Sequence, residues 1–174
     1  MRPIPVAALL LITSLPASAA LSPGAKAPPF RTTAALAGKA VPFDLQKALR
    51  KGPVVVYFFP AAFTQGCTLE TQEFAENQAA FAKAGATIVG VSGDDLPTLV
   101  KFSREACRDK FAVAKATPQA IAAFDVKLGT SPRSNRTSYV ISPNGTIAYA
   151  YSAMDYRLHV KNTLAAVQNM KRSK

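Results

Sequence analysis

The stretch Val54-Val55-Val56-Tyr57-Phe58-Phe59, followed directly by Pro60-Ala61-Ala62-Phe63-Thr64-Gln65-Gly66-Cys67-Thr68-Leu69-Glu70, decides how this chain is read. Its first six residues are β-branched or aromatic with no polar break, the composition of a short strand buried on both faces of a mainly parallel sheet. A turn follows, and Thr68 to Ala84 then runs free of Pro and Gly, as a helix does. Cys67 is therefore expected where a strand hands over to a helix N-terminus. An ordinary thiol, with a pKa near ~8.5, is only a few per cent thiolate at pH 7, whereas a helix N-terminus and a nearby cation bring such groups below ~7. That placement makes Cys67 a candidate nucleophile.

On the N-terminal side, Gly52-Pro53 ends a short helix that Asp44 caps and that runs through Arg50. Phe30 to Phe43 reads as an irregular hairpin around Gly38-Lys39, preceded by an extended arm from Leu21 to Pro29. On the C-terminal side, Gly85 closes the cysteine helix, whose apolar side carries Leu69, Phe74 and Phe81. Glu70, Glu73 and Glu76 crowd its N-terminal half, where acids suit the helix dipole. Thr87 to Ser92 is a second buried strand, and Asp94 or Asp95 caps a helix from Leu96 to about Cys107. Phe111 to Ala114 is a short strand, and Thr117-Pro118 opens a helix through Phe124. Thr137–Ser142 and Thr146–Tyr151, joined by Pro143-Asn144-Gly145, form the clearest hairpin. The final helix, about Tyr156 to Met170, uses Leu158, Val160, Leu164 and Val167 as its apolar residues. Strands alternating with helices predict an α/β fold, a central mixed sheet flanked by helices, with an N-terminal hairpin extension.

Arg2, the apolar run Val6 to Leu15 and the small residues Ala17-Ser18-Ala19 have the pattern of a secretory signal, cleaved near Ala19. Residues 1–19 are thus expected to be a leader and 20–174 a single exported, periplasmic domain. No run approaches the roughly 20 apolar residues that a membrane helix needs. The net charge of +11 is spread along the chain without basic clusters or an aromatic-basic motif, which argues against a nucleic-acid partner. No His/Cys/Asp/Glu spacing suits a metal and no glycine pattern suits a phosphate, so no cofactor is expected. His159, the single histidine, is expected at the surface or in a packing role. On number alone, Cys67 and Cys107 in an exported protein read as a structural disulfide.

Pro60, Thr64 and Cys67 match the Pro-x-x-x-Thr-x-x-Cys signature of the peroxiredoxins, which this chain resembles over nearly its whole length after the leader. Glu70, the arm Gly24 to Phe30, the strand Val54 to Phe59, Gly90-Val91-Ser92 and Arg136 to Ile141 fall in that family's order. Thr64-Gln65-Gly66-Cys67-Thr68 is most similar to the bacterioferritin-comigratory, or Q-type, branch of the alkyl hydroperoxide reductase/thiol-specific antioxidant superfamily. The resemblance implies a thioredoxin-like fold and a thiol peroxidase. Cys67 would attack a peroxide oxygen and become a sulfenic acid, with Thr64 holding the peroxide and Pro60 shielding the thiolate. Arg136 would stabilise the thiolate and the developing oxyanion, with Arg133 as its competitor, and Glu70 would orient the arginine. The Q-type resolving position holds Gln72. The resemblance then places resolution on Cys107, whose neighbours Arg104, Arg108 and Lys110 could ease thiolate formation, giving an intramolecular Cys67–Cys107 disulfide. It also implies a peroxide substrate, a thioredoxin-like or other thiol electron donor, and a monomer, with a dimer open.

Two other readings remain open on the residues. A thioredoxin-like thiol-disulfide oxidoreductase would want Cys-x-x-Cys at this helix start, where Thr64 stands in the first position. A basic envelope-binding domain would lock both cysteines in a permanent disulfide.

Overall fold

The computed structural model describes residues 20–172, so the expected leader lies outside the described residues. Its strands are β1 (Arg31–Leu36), β2 (Lys39–Asp44), β3 (Val54–Phe58), β4 (Thr87–Ser92), β5 (Ala112–Lys115), β6 (Thr137–Ile141) and β7 (Ile147–Ser152). Its helices are α1 (Leu45–Leu49), α2 (Gln65–Lys83), α3 (Leu96–Glu105), α4 (Pro118–Ala123) and α5 (His159–Arg172), the last preceded by a 3₁₀ turn, Tyr156–Leu158. All seven strands form one mixed sheet in the order β2-β1-β5-β4-β3-β6-β7. The central pairs β3–β4 and β4–β5 are parallel, and the flanking pairs are antiparallel.

Every residue of β3 is buried, and the alternation of its side chains divides the core in two. Val54, Val56 and Phe58 face one cluster with Leu45 and Leu49 of α1 and Ile121 of α4. Val55 and Tyr57, with Phe59 beyond the strand, face the other, packed on Cys67, Phe74 and Phe81 of α2, Leu99 and Phe102 of α3, and Val160 and Val167 of α5. Burying each such side chain contributes about 1.5–3 kcal/mol, so the apolar run that marks the strand also holds both helical layers. The hairpin β1–β2 turns on Ala37 and Gly38, both with positive φ, as a tight two-residue connection requires. Pro42 is accommodated because β2 is an edge strand. The arm is tied to the β6–β7 end by Gly24 N–H to Ile147 O and Ala27 N–H to Gly145 O.

Three expectations change. Helix α2 starts at Gln65, so Cys67 lies within its first turn. Its inward face carries Cys67, Glu70, Thr71, Phe74, Ala75 and Phe81, and Leu69 is exposed, because the 3.6-residue repeat that buries Phe74 turns Leu69 outward. Leu158 likewise falls in the 3₁₀ turn and is exposed. Among the described residues, no helix is long and apolar enough to cross a membrane.

Gly90 of β4 is paired with Tyr57, whose ring is stacked on Phe74 and Phe59 and whose hydroxyl lies 3.0 Å from Thr71 Oγ1. A Cβ at Gly90 would sit 2.7 Å from the Tyr57 hydroxyl oxygen and 2.8 Å from its Cζ. Gly90→Ala is expected to destabilise the fold by about 1–3 kcal/mol, read as a lower urea midpoint, because the clamped ring cannot retreat.

Candidate active site

The β3 strand delivers the chain to a loop, residues 59–64, held from both sides. Phe59 O accepts from Ser134 Oγ, and Pro60 O accepts from Arg133 Nη1 at 3.0 Å. Asp94 Oδ2 accepts from Ala62 N–H and from Ser92 Oγ, each at 2.7 Å. Of the two aspartates expected to cap α3, Asp95 does so, accepting from Thr98 N–H. Asp94 instead anchors the cysteine loop, a role its sequence position gave no sign of. Phe63 takes a positive φ of 63°, which turns the chain into α2. Thr64 is the N-cap of α2 by backbone geometry, but its hydroxyl donates to Ala61 O at 2.9 Å and accepts no cap hydrogen bond from a helix N–H.

Cys67 is thus the third residue of α2, 1 % exposed, with the amide groups of the first turn unclaimed by the N-cap side chain. Arg136, immediately before β6, reaches it. Arg136 Nη2 donates to Cys67 Sγ at 3.3 Å, Nη1 donates to Glu70 Oε2, and Nε donates to Met154 O at 3.0 Å. Burial pulls the guanidinium pKa down, but Glu70 and Cys67 together carry it above its ordinary value, so Arg136 stays charged. Arg133, the competitor, is committed to Pro60 O and lies 3.7 Å from Asp94 Oδ1.

Glu70 is fully buried. Burial pushes its carboxyl up to about 8 against the pull of Arg136. Its second oxygen, Oε1, has no hydrogen bond among the described residues and faces His159 Nδ1 at 3.6 Å. Of the two placements expected for His159, at the surface or in a packing role, the structure gives the second: it is 0 % exposed, the 3₁₀ turn before α5 folding it against β6. There it meets Ser138 Oγ through Nδ1 at 2.8 Å and Ala153 O through Nε2 at 2.9 Å. Burial lowers its pKa to about 4.

Cys107 departs from expectation in two respects. Helix α3 ends at Glu105 with Ala106 as C-cap, leaving Cys107 in the turn that follows. It is fully buried, and burial, then Asp109, pushes its thiol pKa up. The neighbouring cations do not ease ionisation: Arg108 pairs with Glu76 at 3.2 Å, and Lys110 Nζ donates to Ala75 O. Both cysteines are free thiols in one apolar cluster, and Tyr57 interacts electrostatically with each.

Comparison with known proteins gives the family of the chain. Residues 23–150 match the AhpC/TSA family, and the chain belongs to it. It is 32 % identical over 122 residues to chloroplastic peroxiredoxin Q of Oryza sativa subsp. japonica, covering 68 % of this chain and 55 % of that protein. It is 32 % identical over 134 residues to chloroplastic peroxiredoxin Q of Sedum lineare, covering 75 % and 70 % respectively. Peroxidoxin BcpB from Mycobacterium tuberculosis superposes with a TM-score of 0.77 at 29 % identity, over 85 % of this chain and 97 % of that one. The fold is thus the thioredoxin-like fold of peroxiredoxins. The chain spans little more than half the length of the rice protein.

Glu70 and His159 have opposite effects on stability. The Glu70 value lies above its ordinary 4.5, so its contribution is present below 4.5 and lost as pH rises through about 8. The His159 value lies below its ordinary 6.5, so its contribution is present above 6.5 and lost as pH falls through about 4. Between 4.5 and 6.5 the two slopes oppose each other. Glu70→Gln is expected to uncover the histidine alone, with about 3 kcal/mol of unfolding free energy lost between pH 6.5 and 4 in urea titrations. Adding His159→Gln should abolish that loss.

Proposed function

We propose that this chain is a thiol-dependent peroxidase that reduces hydrogen peroxide and organic hydroperoxides. The observation that carries the reading is the buried guanidinium of Arg136 donating to Cys67 Sγ at the first turn of α2. A fixed cation and helix amides that no N-cap side chain claims are placed for negative charge on the sulfur and for the charge that develops on peroxide oxygen. The thiolate attacks one oxygen: the S–O bond forms, the O–O bond breaks, and the other oxygen leaves as water or alcohol once protonated. With its proton committed to Ala61 O, the Thr64 hydroxyl has lone pairs free to accept a hydrogen bond from the peroxide. Pro60, anchored through its carbonyl by Arg133, limits water access. Such a charge-stabilising donor is worth about 10²–10³ in rate.

Cys107 then resolves the sulfenic acid. Its thiol displaces the Cys67 hydroxyl as water, and the S–O bond is exchanged for an S–S bond within the chain. This reading is supported by the shared cluster around Tyr57 and by the turn after Cys107, where Arg108 and Asp109 both take positive φ, 51° and 61°. Such residues store strain of about 1–3 kcal/mol each, so this turn is the place for the chain to open and bring the sulfurs within bonding distance. An external dithiol of the thioredoxin class reduces the disulfide. The leader pattern in the sequence of residues 1–19 is what supports a periplasmic setting for this cycle. The thiol-disulfide oxidoreductase reading is not favoured: Thr64 stands where the second thiol would be needed.

Reduced wild type should consume hydrogen peroxide with dithiothreitol as donor, lose both free thiols after one equivalent, and gain an intramolecular disulfide. Cys107→Ser should stop at a dimedone-reactive sulfenic acid, and Arg136→Met should slow peroxide reduction about 10²–10³-fold. A Cys107→Ser monomer with the same non-reducing mass shift would exclude Cys107 as the partner.

A further inference from the structure

Glu70 Oε1 is a buried polar atom that the peroxidase cycle does not use, and it faces the ring of the only histidine. His159 Nε2 lies 2.9 Å from Ala153 O, and a carbonyl only accepts, so that nitrogen carries the ring proton. Nδ1 is then a bare acceptor, shared between the Ser138 hydroxyl at 2.8 Å and Glu70 Oε1 at 3.6 Å. If Glu70 were ionised, two lone pairs would oppose each other in a site closed to solvent. A proton on Oε1 turns that repulsion into attraction.

We propose that Glu70 and His159 hold one proton between them, and that this shared proton, by keeping Glu70 uncharged, leaves the charge of Arg136 free for the Cys67 thiolate. The inference rests on the peroxidase reading of the site and assigns His159 as a positioning residue, acting through Glu70 and Arg136. With the proton in place, Arg136 has one anionic neighbour, the thiolate. Without it, the carboxylate and the sulfur divide the same guanidinium. The other charged groups around the pair fit this distribution. Arg136 opposes a second proton on His159 and Asp155 favours one, while the Tyr151 ring lies edge-on to the imidazole at 4.8 Å. Glu73, on the same helix as Glu70, opposes ionisation of Glu70, and the buried Tyr57 hydroxyl lies within electrostatic reach of it.

The test is the rate at which iodoacetamide alkylates Cys67 in a Cys107→Ser parent across pH 5–9, since that rate follows the thiolate fraction. Glu70→Gln, which mimics the protonated carboxyl, should react at pH 6 at least as fast as the parent. His159→Phe should slow the reaction at pH 6 about tenfold, yet change it less than twofold when added to Glu70→Gln. A tenfold slowing by Glu70→Gln, or an equal effect of the histidine change in both backgrounds, overturns the proposal. If His159→Phe does not fold by far-UV circular dichroism, His159→Gln takes its place with the same expected pattern, because its amide would donate to a carboxylate and favour the ion. No peroxide enters this measurement. A wild-type thiol inert to hydrogen peroxide would therefore refute the peroxidase reading alone.

Discussion

A buried guanidinium organises this molecule. Arg136 uses Nε on the Met154 carbonyl, Nη1 on Glu70 and Nη2 on Cys67, so one side chain ties the chain before β6, the segment after β7 and the first two turns of α2. Removing a charge of this size from water costs several kcal/mol unless its donors are satisfied, and here the named partners provide that satisfaction. The arrangement is therefore closely coupled. A thiol alone could not hold the arginine, and an arginine without Glu70 and the Met154 carbonyl would have no fixed direction from which to meet the sulfur. The same coupling explains why Glu70 is buried on a helix whose other acids, Glu73 and Glu76, are not.

The sheet supplies the rigidity this requires. β3 lies between β4 and β6, and β6 begins one residue after Arg136. The register that pairs Phe58 with Thr137 thus sets the arginine beside the end of β3, where the cysteine loop begins. Asp94 and Arg133 then brace that loop from outside, each through backbone groups of residues 60–62. Backbone anchoring of this kind tolerates a change in the loop's side chains, but not a change in its path. Tyr57 occupies the space between α2 and the sheet, and Gly90 leaves room for it.

Much of this was legible from residue types and their spacing. The unbroken apolar run 54–59 announced a buried strand, the positions of Pro60, Thr64 and Cys67 announced the loop and helix start, and Arg133 and Arg136 stood before a strand as candidate cations. What remained hidden involved residues with no local signal. Leu69 and Leu158 look like core residues by hydrophobicity, yet the helical phase that buries Phe74 turns Leu69 outward, and Leu158 falls in the exposed 3₁₀ turn before α5. Asp94 and Asp95 are equivalent as helix caps in sequence, and only their distances to Ala62 and Thr98 assign them different tasks.

By itself, the sequence determined the α/β class, the strand-to-helix placement of Cys67 and the chemistry open to it, because these depend on local pattern and on groups within a few residues of one another. The tertiary structure alone decided the rest. It buried His159 against Glu70 across about half of the chain's length, enclosed Cys107 so that its cationic neighbours face elsewhere, and set Arg136 rather than Arg133 against Cys67. Each of these outcomes follows from desolvation and long-range packing, which act on groups that only the folded sheet brings together.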